Sequence, residues 1–220
     1  MSKLQQYRTV FRDGTGELVE KKSRFLTEIY HVTSEEQIPP ILEATRKRYW
    51  DASHGCYAYV LGKRQELMRC SDAGEPSGTA GRPMLDVLLG EGLCDVLAIV
   101  TRYFGGTLLG TGGLVRAYSG AVKEGLKHTV LIDKIPAMRL RIDTDYTGIG
   151  KILYLLGQES MQPLESEYTD RVSLLVAVPL DKLEHLKKEI TEATNGQADL
   201  EELDVLYMGE AEGEIHLFDD

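Results

Sequence analysis

Residues 100–118, VTRYFGGTLLGTGGLVRAY, constrain the fold more than any other part of the chain. Residues 96–104 are almost continuously apolar and rich in β-branched side chains, the composition of a strand buried on both faces, and Gly105 and Gly106 end the run. Beyond them Leu114, Tyr118, Ala121, Val122 and Gly125 recur at helical spacing, with Thr111 placed to cap the first turn. A strand, a glycine-rich loop and a helix are therefore expected in succession. Five of the 22 glycines fall here, Gly105, Gly106, Gly110, Gly112 and Gly113, and the loop leaves N–H groups open at a helix start. Flanked by Arg102 and Arg116, with Tyr103 beside the first, it suits a phosphate, a carboxylate or an acidic partner group. The spacing is neither GxGxxG nor GxxxxGKS/T, and the competing account is that the glycines only pack helix against strand.

A second glycine-rich segment, SDAGEPSGTAGRP at residues 71–83, precedes a helix with Met84, Val87 and Leu88 inward, Pro83 in its first turn and Gly90 at its end. Asp72 and Glu75 bring two carboxylates into a loop that can lie beside His54 and Arg102, with Arg82 just beyond. Such a set suits acid–base or metal chemistry; equally, loop carboxylates accept local backbone hydrogen bonds or pair with an arginine. Arg102, late in a buried strand, needs a partner, and Asp72 or Glu75 can supply it.

The net charge of −10 is divided unevenly. Residues 1–136 carry +2 and residues 137–220 carry −12, so any attraction to phosphate belongs to the first part, where Arg46, Lys47 and Arg48 also cluster. Those three read equally well as solvated charges on a helix face. There is no apolar leader in MSKLQQYRTV and no run of about 18 apolar residues, so a cytoplasmic location without membrane contact is expected. Cys56, Cys70 and Cys94 are widely spaced without a CxxC pair, and all three read as small core residues rather than disulfides or zinc ligands.

Taken in order, residues 22–32 predict a strand, Ser34 with Gln37 a capping box, and Ile38, Ile41, Leu42, Thr45 and Tyr49 a helix whose regular part waits for Pro39 and Pro40. Residues 55–61 and 65–70 predict a hairpin. After a join near Ile135 and Pro136, the pattern predicts strand 138–142, helix 146–156, strands 161–168 and 171–178, a helix marked by Leu183, Leu186 and Ile190, and strand 203–208. This βαββαβ order is the ferredoxin-like motif. The acidic residues 199–204 and the tail 210–220 are expected to be solvated, the tail mobile.

HGCYAY, SDAGEPSGTAGRPML and VTRYFGGTLLGTGGLVRAY, in this order, resemble the signature segments of the YigZ/IMPACT family, and the second part resembles the accessory domain of its bacterial members. Asp72, Gly74, Glu75, Pro76, Gly78, Thr79, Ala80 and Gly81 fit the family's DxGEPxGTAG loop, while Ser71 stands where many members carry another acid, which weakens the case for a two-carboxylate metal site. The resemblance implies an α+β chain of two domains, 1–135 and 136–220. The first would share the fold of a small-subunit ribosomal protein domain and of the fourth domain of elongation factor G; the ferredoxin-like domain would follow. It also implies a link to translation, since eukaryotic relatives act in translational control.

Two readings of function follow. The first is a non-enzymatic, translation-associated regulatory factor that binds RNA, the ribosome or a translation protein through residues 1–135. The second is an enzyme or small-molecule sensor for a phosphate-containing or other anionic ligand at the glycine-rich loops. No catalytic residue, metal or cofactor is assigned, because GxSxG, HExxH and Walker motifs are all lacking.

Overall fold

The computed structural model describes residues 4–219. They form two compact units, one of Tyr7–Asp133 with Ala211–Gly213, the other built mainly from Lys134–Glu210. The first unit contains β1 (Tyr7–Arg12), β2 (Gly14–Glu20), β3 (Ser23–His31), α1 (Ile38–Arg48), β4 (His54–Leu61), β5 (Leu67–Ser71), α2 (Gly81–Gly90), β6 (Val96–Tyr103) and α3 (Thr111–Lys127). Its five-stranded sheet runs β2-β3-β6-β4-β5 and is antiparallel throughout.

The continuous apolar run places β6 at the centre. Val96, Ala98 and Val100 face one core with Met84 and Leu88 of α2 and Leu114, Tyr118 and Val122 of α3. Leu97 and Ile99 face a second, smaller core with Ile38 of α1. Two buried faces leave no place for the polar alternation of a surface strand. Arg102 and Thr101 are the exceptions, and both lie at the strand's far end.

Gln37 accepts from the backbone N–H of Ser34 at 3.2 Å, so the capping box closes ahead of α1, over a short 3₁₀ turn at Glu35–Gln37. Thr111 does not cap α3. It is the first helical residue, and Gly110 precedes it at φ +71°, a conformation glycine adopts without strain, with no side chain on the cap. Strands β1 and β2, which pair with β7 (Val130–Thr144) and β3 and not with each other, have no counterpart in the sequence pattern; in β2, Gly14 and Gly16 interrupt the alternation. A Cβ at Gly16 would lie 2.7 Å from the Gly125 backbone nitrogen, so this glycine admits α3 onto the sheet. Cys56 and Cys94 are buried as expected, whereas Cys70, on the end strand β5, is exposed.

The second unit takes most of β7 (Val130–Thr144), then α4 (Ile149–Gln158), β8 (Glu165–Tyr168), β9 (Val172–Pro179), α5 (Leu183–Ala193), β10 (Asp199–Ala211) and β11 (Glu214–Phe218). Its strands run β11-β10-β7-β9-β8, which is the ferredoxin-like order with one strand added at the edge. Ile152 and Leu156 of α4 and Leu183, Leu186 and Ile190 of α5 share one core with Leu140, Ile142 and Leu174 of the sheet. β7 runs through the join expected near Ile135 and Pro136. One expectation changes: the acidic tail carries a strand, β11, which returns beside β10 through Glu212 and Gly213. Residues 199–204 are mostly exposed, as expected, and form strand, with cross-strand partners such as Arg141 with Glu201 at 2.8 Å and Arg139 with Asp204 at 3.2 Å.

Candidate functional site

The site forms where the loop before α2 meets the loop before α3. Asp72, just past the end of β5, folds the first of these loops. Its Oδ1 accepts from the N–H of Ala80 at 3.0 Å and Gly81 at 2.8 Å, and its Oδ2 from Gly78 at 2.8 Å. The α2 cap residue, Ala80, has no side chain for that work, so Asp72 supplies it from upstream. Burial pushes the Asp72 carboxyl up, but the three N–H donors prevail and hold it below its ordinary 3.8. A depressed carboxylate stabilises the fold above its ordinary value and loses that contribution as pH falls through the folded value. Urea unfolding at pH 5 should therefore show Asp72→Asn weaker than the parent by about 1–2 kcal/mol. Between pH 5 and pH 3 the variant should lose less than the parent; equal losses would remove Asp72 from this role.

Glu75 turns inward. Its side chain is 3 % exposed, and its Oε1 accepts from Arg102 at 2.7 Å and from the Tyr118 hydroxyl at 2.8 Å. Arg102 is 5 % exposed, lies over the rings of Phe25 and Phe104, and reaches Ser23 Oγ at 3.4 Å. Its Nε is shut off from solvent and finds no acceptor among the described residues. Burial first, then the neighbouring Cys56 and Glu75, push the Tyr118 phenol far up, so it remains a donor. Cys56 donates to the Asp72 carbonyl at 3.0 Å, and burial pushes its thiol up to about 12. It is not a poised nucleophile.

His54 begins β4, in register with Arg102 across the sheet. Its Nδ1 lies 3.1 Å from the carbonyl of Ala73, to which it can only donate, and its Nε2 lies 4.0 Å from Glu75 Oε2. These groups floor a pocket of about 560 Å³ whose walls are Pro76, Phe104, Leu108, Leu109 and Leu114, with Gly110 and Thr111 at its side. Leu108 is 83 % exposed and Phe104 49 %.

Of the residues singled out in the sequence, the pocket gathers His54, Glu75, Arg102 and Gly110. Gly112 and Gly113 follow in the first turn of α3. Asp72 stands behind the loop. Arg82 is an exposed partner of Asp86 along α2, at 2.8 Å. Tyr103 donates to Asp51 at 2.9 Å. Arg116 is exposed on α3 with no ion pair among the described residues. Gly105 is a packing residue, its Cα against the backbone of Lys22 and Ser23, and Gly106 sits at φ +79° with open space beside it. The walls were missed. Leu108 and Leu109 carry a signal, since they are large apolar residues within a turn, where no element periodicity needs them; Phe104 reads as the end of the buried strand and lies one residue beyond it. Among the described residues no three His, Cys, Asp or Glu side chains converge as a metal would require.

The chain matches the Impact N-terminal domain over residues 21–126 and a domain of unknown function, DUF1949, over residues 142–197. It is 38% identical over 212 residues to the IMPACT family member YvyE of Bacillus subtilis, covering 96% of this chain and 98% of that one. The chain belongs to the IMPACT family. Another member, YigZ of Escherichia coli, is 38% identical over 182 residues, 82% of this chain and 89% of its own. A solved structure described as a hypothetical protein, 35% identical, covers 91% of this IMPACT chain and 98% of its own with a TM-score of 0.57. The Impact N-terminal match includes His54, the loop of Asp72 and Glu75, Arg102 and the start of α3.

Proposed function

We propose that this chain is a non-enzymatic, translation-associated regulatory factor that recognises RNA, the ribosome or a translation protein through its first unit. One observation carries the preference for binding over turnover: apart from His54 Nε2 and Glu75 Oε2, the reactive-looking groups of the cleft are occupied in building it. Asp72 holds three backbone N–H groups, Glu75 holds Arg102 and Tyr118, and Cys56 and Tyr118 stay protonated. The link to translation rests on family membership. The excess of positive charge belongs to the first part of the chain, and Arg46 on α1 and Arg116 on α3 are exposed there without ion pairs among the described residues, on opposite faces of the sheet.

Co-sedimentation of the full chain with ribosomes at about 50 and 200 mM salt tests this reading, because contacts to phosphate weaken as salt rises. The chain is expected in the pellet at low salt and largely released at high salt. Arg116→Ala, exposed and unpaired, should melt like the parent and bind at least about threefold more weakly. A chain that stays in the supernatant at both salts, and neither shifts RNA nor retains a translation protein, would refute the proposal. In a binding-competent chain, full retention by Arg116→Ala would remove that residue from the surface.

A further inference from the structure

The pocket beside α3 holds unused hydrogen-bonding capacity of both signs. On one side lies the start of α3, where Thr111 lines the pocket and Gly112 and Gly113 follow it, their first-turn N–H groups having no side-chain cap and no other acceptor among the described residues. On the other, Glu75 commits only Oε1, leaving Oε2 without a hydrogen bond, and His54 Nε2 stands 4.0 Å from it. Arg102 belongs to the same lining, its guanidinium held by Glu75 at 2.7 Å and Ser23 at 3.4 Å. Between these poles the lining is apolar, and Leu108 is left largely in solvent.

Charge decides what fits. Glu75 and Arg102 cancel, so the floor has no net charge with which to hold a bare ion. A simple anion would satisfy the helix start and meet the free oxygen of Glu75; a simple cation would satisfy Glu75 and meet the positive end of α3. A molecule with both charges satisfies both poles. We propose that this pocket binds a small zwitterion with an apolar side chain, its carboxylate on the N–H groups opening α3 and its ammonium toward Glu75 Oε2 and His54 Nε2. The side chain then covers Leu108, Leu109 and Phe104. A free amino acid and a dipeptide share this chemistry, and the volume of about 560 Å³ admits either. The site stands independently of ribosome binding, which is read without added ligand.

Four probes against the full chain, followed by two-dimensional amide NMR, test it: L-leucine, leucyl-leucine, 4-methylpentanoate, which lacks the ammonium, and 3-methylbutylamine, which lacks the carboxylate. At least one zwitterion is expected to saturate below about 10 mM. Both single-charge probes should bind about tenfold more weakly or worse, since each leaves a pole unpaired. Which zwitterion binds more tightly separates amino acid from dipeptide. Thr111→Pro deletes one N–H at the first helical position, where proline is well tolerated, and should weaken the zwitterion about tenfold with an unchanged melt. Should that variant fold poorly, Leu108→Glu, at an exposed position, places a carboxylate at the mouth and is expected to weaken binding likewise. The proposal falls if no probe saturates, if a single-charge probe matches the zwitterions, or if a folded variant binds as the parent does.

Discussion

Arg102→Ala is expected to cost the first unit about 3–5 kcal/mol, the usual result of stripping one partner from a buried ion pair. Glu75 would remain 3 % exposed with a full charge and only the Tyr118 hydroxyl to satisfy it. Against a typical domain stability of about 5–15 kcal/mol, that loss shows as a large drop in the urea midpoint near pH 7. Charge rather than volume should dominate. The double variant Arg102→Met, Glu75→Leu, which removes both ions and keeps the space filled, should recover more than half of the loss. A single variant within 1 kcal/mol of the parent, or a double variant worse than the single, would contradict the buried pair.

Gly105→Ala is expected to cost about 3 kcal/mol, the upper range for overpacking, because the added Cβ would fall inside the backbone of Lys22 and Ser23. Flexible side chains yield to such an intrusion; here the obstacle is the start of β3 itself. The Gly105 N–H also donates to Ser23 Oγ at 3.1 Å, a contact that any retreat of the loop would break. Gly106→Ala serves as the comparison. Its Cβ would meet open space, so only the φ of +79° opposes it, for about 1–2 kcal/mol. Denaturant midpoints for the two variants should rank in that order. The reverse ranking would mean that the loop, and not its contact with β3, governs this corner.

Arg102 shows how far sequence reasoning reached into the site. A guanidinium at the end of a buried strand demands a carboxylate on energetic grounds alone, whichever segment supplies it. Asp72 and Glu75 were equally eligible by type and spacing. The assignment depends on a loop closing on itself: once Asp72 is spent on the N–H groups of Gly78, Ala80 and Gly81, Glu75 is the carboxylate left to face the strand. The same limit hid the pocket. Leu108 has no periodic partners and Phe104 reads as strand, and their role in the pocket exists only because the α2 loop and His54 come to lie opposite them.

By itself the sequence determined the order of elements from β3 to β10, the central two-faced strand, the helix starts to within about three residues, and the ferredoxin-like succession of the second unit. These follow from local periodicity and from the cost of burying polar groups, which any short window displays. Tertiary structure alone decided which groups meet. Arg102 finds Glu75 across 27 residues and Ser23 across 79, Tyr118 finds Glu75 across 43, and Gly105 is pressed on Lys22. The tail behaves similarly, since an acidic segment reads as mobile until β10 offers it an edge with unpaired backbone groups. Contacts between distant segments are set by how sheets and loops close in space, and no local pattern records that closure.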